Sequence, residues 1–154
     1  MANDLPVRLS SAPVRAHIPY GDDPVMLLYF LDQNAFPPEP RGMWVGNRRA
    51  DIIVRTEEPL DHLAITAESP IQTTLTVSAG AGAVTVPIAP NTPVHFNVPA
   101  HGVRGLQSYE YLMSAKASEG FIPHLLDPKS GDYRTLGAQL RFSAVRAVRS
   151  QASR

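Results

Sequence analysis

The sequence predicts an all-β fold: an antiparallel two-sheet β-sandwich, jelly-roll or immunoglobulin-like, of about eight strands. Three observations predict it. Segment after segment alternates apolar with polar residues, and a period of two is what a strand with one buried face requires. The 15 prolines and 10 glycines of the 154 residues punctuate these segments, as turns do in sandwiches and barrels. Few segments read as helix. The length suits one domain and allows roughly two-thirds of the unfolded surface to be buried.

The elements follow in order. Residues 1–20 are the least patterned and are expected to form an N-terminal arm or an edge strand; residues 21–145 form the sandwich, and residues 146–154 a basic tail. The apolar run at 25–31, VMLLYFL, fits a buried strand or one helical turn. Residues 36–40, Phe-Pro-Pro-Glu-Pro, make a stiff extended loop. In Ala50–Thr56, Ile52 and Val54 share one face, and Asp51 and Arg55 share the other with Ile53. Residues 62–68 place Leu63, Ile65 and Ala67 opposite His62, Thr66 and Glu68. The segments 73–79, 83–88 and 94–98 alternate around Gly80-Ala81-Gly82 and the turn at 89–93, so 73–99 is expected to be a three-strand meander. Pro87 then requires an edge or a bulge, since it cannot donate to a ladder. Residues 108–117 and 139–144 supply two more strands, and the latter runs on into the tail.

Composition excludes several function classes. Hydrophobic residues at 44% with 18% charged describe a globular chain. A net charge of zero argues against a nucleic-acid binder. The absence of cysteine excludes a disulfide framework, a thiolate metal site and a cysteine nucleophile. The first residues, Met1 to Pro6, lack the basic and apolar regions of a signal peptide. The longest apolar run is far short of the roughly 20 residues of a membrane span, so a chain that does not span a membrane is expected.

Motifs of catalysis are missing: no G-x-S-x-G, H-E-x-x-H or Walker loop occurs, and no His-x-His pair stands among the five histidines. Asp22-Asp23 and Glu57-Glu58 precede prolines and read as turns. Asp127 and Asp132 flank Ser130 and Gly131; an Asp-capped turn is favoured, with a structural calcium site as the alternative. No cofactor is expected otherwise. Phe96, Tyr109, Tyr111 and Phe142 fall on inner faces by parity. That leaves Tyr20, Phe36, Trp44, Phe121 and Tyr133 as surface candidates, with Phe36, beside Pro37 and Pro38, the better exposed, and a proline-stiffened loop suits a protein contact. Trp44 is expected in core or inter-sheet packing, with sugar stacking as the alternative. Residues 135–154 carry Arg141, Arg146, Arg149 and Arg154 and no acid, so a +4 end balances a body of −4. Arg146 and Arg149 are therefore candidate docking charges.

Three stretches carry a family resemblance. They are Tyr29-Phe30-Leu31-Asp32-x-Asn34-Ala35-Phe36-Pro37; Gly42-x-Trp44-Val45 followed by Ala50–Thr56; and Gly120-Phe121-Ile122-Pro123 with Asp127-Pro128, Asp132, Arg134 and Leu136-Gly137. Together they resemble the extracytoplasmic β-sandwich domain at the C-terminal end of some bacterial polytopic glycosyltransferases of the mannosyltransferase type. The resemblance implies an accessory module in the periplasm or at the outer face of the cytoplasmic membrane, and it carries no catalytic loop with it. The expected function is a non-catalytic accessory module that binds a protein, in a larger membrane-associated complex. A carbohydrate-binding module is the alternative, and a glycan-directed hydrolase stands behind both.

Overall fold

Strand parity decides which side chains meet in the middle of the molecule. In a computed structural model, which describes residues 18–148, eleven strands carry that parity. They are β1 (Ile18–Tyr20), β2 (Met26–Phe30), β3 (Met43–Val45), β4 (Ala50–Thr56), β5 (Leu60–Glu68), β6 (Thr73–Ala79), β7 (Val84–Ile88), β8 (Val94–Pro99), β9 (Val103–Arg104), β10 (Tyr109–Ala117) and β11 (Ala138–Arg146). One helical turn, α1 (Pro123–Leu126), lies between β10 and β11. The larger sheet runs β1-β2-β4-β10-β6-β7, with β9 beside the start of β10; the smaller runs β3-β11-β5-β8. Both are antiparallel, as the alternation predicts. The strands beyond the expected eight or so are β1, β3 and β9, each two or three residues long. Segments that short display no period.

The core forms between the inner faces. Met26, Leu28, Ile52, Val54, Leu75, Val77 and Met113 of the larger sheet meet Met43, Leu63, Ile65, Val98, Leu140 and Phe142 of the smaller. Two tyrosines tie the sheets together. Tyr111 of β10 accepts a hydrogen bond from the Leu60 backbone N–H at 2.7 Å. Tyr20 of β1 stacks on Phe142, with centroids 4.6 Å apart, and accepts from the Phe142 N–H at 3.3 Å. Burial raises the Tyr20 phenol above its ordinary value.

One open reading is decided and one local expectation needs correction. Within 25–31, of the two readings left open, Met26–Phe30 take the buried strand and not the helical turn: Met26, Leu28 and Phe30 are all buried on one face. Residues 73–99 are not a meander. β6 and β7 pair, but β8 crosses to the smaller sheet and pairs with β5. The turn that carries the crossing holds Asn91 at φ 57°, and the Asn91 N–H is bound to the Ser69 carbonyl at 2.7 Å. That bond draws the chain toward the end of β5. Pro87 does lie on an edge strand, β7, where its missing N–H breaks no interior ladder. At the other end of the molecule Gly80, at φ +88°, passes so close to His101 that a Cβ would sit 1.8 Å from its carbonyl oxygen. Only glycine fits there.

Candidate functional site

The residues singled out in the sequence fall into two groups at opposite ends of β11. Trp44 lies beside Gln139 near the start of that strand, and Arg146 is its last residue. Seven residues separate Gln139 from Arg146, about 24 Å at ~3.4 Å per residue.

Phe36 and Trp44 come together. The Phe36 N–H donates to the Trp44 carbonyl at 2.9 Å. Met43 and Val45 take the inward positions of β3, so Trp44 sits half-buried on the outer face of the smaller sheet, edge-on to Phe121 at 5.7 Å. This corrects the core or inter-sheet packing expected for Trp44: its parity in a three-residue strand is set by its neighbours. Phe36 is half-buried, with the Arg134 guanidinium 4.9 Å over its ring. Arg134 also binds Glu39 at 3.0 Å and Asp132 at 2.6 Å. Tyr133, at 67% exposed, replaces Phe36 as the better exposed aromatic. Pro37 is exposed and Pro38 half-buried.

The carboxylates of the 127–132 turn already face donors. Asp127 accepts from the Lys129 N–H at 3.1 Å. Asp132 accepts from the Arg134 side chain and backbone, and the Arg134 guanidinium holds its carboxyl below the ordinary value. No group of three or more His, Asp or Glu is placed to hold a metal among the described residues. Arg146 bridges Asp23 and Glu58. Arg149 lies outside the described residues.

The candidate site lies on the other sheet and was missed in the sequence. Tyr29, Ile53 and Leu112 stand side by side on β2, β4 and β10, on the outer face of the larger sheet. Outward positions are expected to be polar, and this row is apolar across three adjoining strands. Leu112 is 40% exposed. Satisfied polar groups border the row on both sides. On one side, Asp51 accepts from Ser114 at 2.7 Å and from Arg49 at 2.9 Å. On the other, Arg55 binds Glu110 through two nitrogens at 2.9 and 3.1 Å and lies 4.9 Å over the Tyr29 ring. Leu27, opposite Arg55, and Val103, opposite Glu110 and 74% exposed, extend the apolar surface. The signal was present in one place: Ile53 sits on the polar side of an otherwise clean alternation.

A cleft of about 570 Å³ adjoins this surface and shares Leu27 and Arg55 with it. The carboxylates of Asp22, Asp23, Glu57 and Glu58 line it against the guanidiniums of Arg55 and Arg146, so its charge is net negative. The adjacent acid pairs of the sequence thus form one wall of this cleft.

No family model, curated protein or solved structure matches the chain. Among the described residues no helix is long and apolar enough to cross a membrane.

Proposed function

We propose that this protein is a non-catalytic accessory β-sandwich module that binds a protein partner within a larger membrane-associated complex. The observation that carries the reading is the Tyr29–Ile53–Leu112 row. An apolar strip framed by polar pairs has the anatomy of an interface, with a dry centre and a hydrophilic rim. It lies on three paired strands, so little ordering entropy is lost when a partner lands on it. The neighbouring acidic cleft suits a lysine or arginine of that partner, which fixes the docking register. The partner therefore offers an apolar strip flanked by a basic side chain. The resemblance to appended extracytoplasmic domains supports a partner at the outer face of the cytoplasmic membrane. The reading includes no cofactor and no nucleic acid.

A photo-crosslinking amino acid tests it. Placed at Leu112 it is expected to trap one partner of defined mass in extracts of the source membranes. Placed at Thr76, on the polar part of the same face, it is expected to trap none. Equal capture at the two positions overturns the proposal.

A further inference from the structure

We propose that the outer face of the smaller sheet is a groove that binds an acidic saccharide, a site independent of the protein-binding face on the larger sheet. The argument starts from register. Ser143, Ala64 and Asn97 form one outward row across β11, β5 and β8. Arg141, Thr66 and His95 form the next, and Trp44, Gln139 and Glu68 form a third across β3, β11 and β5. Small side chains at Ser143 and Ala64 lower the floor while Arg141, His95 and Asn97 rise beside it. The result is two hollows of about 350 and 250 Å³ that share Thr66 and Arg141.

Charge identifies the occupant. Arg141 makes no ion pair or hydrogen bond with a described side chain, and neither does Arg41, which lines the same groove. The backbone at Arg41 is held in place. It sits at the tip of a turn closed by two reciprocal backbone bonds between Glu39 and Gly42, at 2.8 and 3.0 Å. Gly42 at φ +141° packs that turn against β11, where a Cβ would lie 2.6 Å from the Leu140 carbonyl oxygen. Two guanidiniums lining one groove, against the single carboxylate of Glu68, match a ligand carboxylate. The other lining groups, Thr66, Asn97, Gln139 and Ser143, both donate and accept, as paired recognition of sugar hydroxyls requires. His95 is oriented by Thr66 at 2.8 Å. Trp44 stands beside Gln139 at one end, half-buried on the same outer face. A shallow polar groove running along strands suits a chain of rigid rings.

The test is nuclear magnetic resonance titration of the folded protein with uronate tetrasaccharides: galacturonate, mannuronate and hyaluronan. At least one is expected to shift the amides of Thr66, His95, Gln139 and Arg141, and neutral cellotetraose to leave them unmoved. The double variant Arg41→Ala/Arg141→Ala is expected to bind about tenfold more weakly, the loss of a charge-assisted hydrogen bond. Its melting temperature should not change, since neither side chain is paired among the described residues. Ala64→Tyr, which fills the floor, is expected to abolish the shifts. Three outcomes overturn the proposal: no uronate moves these amides at millimolar concentration, the double variant binds unchanged, or inorganic phosphate displaces the saccharide at equal concentration.

Discussion

Arg134 shows how much one side chain organises. It holds Asp132, Glu39 and the Phe36 ring at once, and so joins the loop before β3 to the loop before β11. Its effect is readable by pH. The Asp132 carboxyl lies below its ordinary 3.8 in the folded protein. The resulting stability is fully present above that unfolded-chain value and is lost as pH falls through the lower folded value. Unfolding midpoints in urea, followed from about pH 5 to pH 2, should therefore fall with acid. In Arg134→Met, which keeps the apolar cover over Phe36 and removes the charge, part of that acid dependence should disappear. An equally steep fall would show that Asp132 is not its source. This network was only partly legible. Asp132 and Arg134 stand two apart and Phe36 is distant in sequence, so nothing local joins them. The same limit hid the groove, because Arg41 and Arg141 meet only through the Glu39–Gly42 turn.

At the scale of one strand, β4 separates stability from function. Ile52 is fully buried and Ile53, its neighbour, faces out. The same substitution should have opposite consequences. Ile52→Thr removes buried methyl groups and leaves a hydroxyl in the core, at a cost of about 2–3 kcal/mol. Ile53→Thr keeps a β-branched side chain at a half-exposed position and should cost less than about 1 kcal/mol. Guanidinium unfolding of the two variants checks the contrast, and equal losses would refute the assigned faces. Parity made this strand readable before any coordinates. β2 was not, because its run at 25–31 is apolar throughout and shows no alternation. Parity fails in β1, β3 and β9, and there Trp44 was misplaced. It also says only whether a side chain points inward. It does not say into which sheet its strand goes, which is why the crossing of β8 was hidden.

At the scale of the whole molecule, the two outer faces have different chemistry. One is an apolar strip with an acidic cleft beside it, and the other a polar groove lined by two guanidiniums that have no partner among the described side chains. A single net charge of zero conceals this division. Arg146 belongs to the cleft, bridging Asp23 and Glu58, and Arg141 to the groove. The C-terminal surplus of arginine is therefore built in part into the sandwich itself.

The position of β11 has a consequence in time. It is the last of the described strands, yet it lies between β3 and β5 in the middle of the smaller sheet. Leu140 pairs with Ala67 and Phe142 with Ile65, across roughly 70 residues of intervening chain. Until β11 is made, β5 lacks one neighbour and Tyr20 of β1 lacks the Phe142 ring it packs on. A chain ending at residue 137 should bind a fluorescent hydrophobic dye and show no cooperative melting. A sharp transition in that fragment would contradict this order of assembly. Gln139, Arg141 and Ser143 of the groove and Arg146 of the cleft all arrive with β11. A chain that has not yet paired β11 therefore has neither a complete groove on the smaller sheet nor a complete cleft beside the larger one.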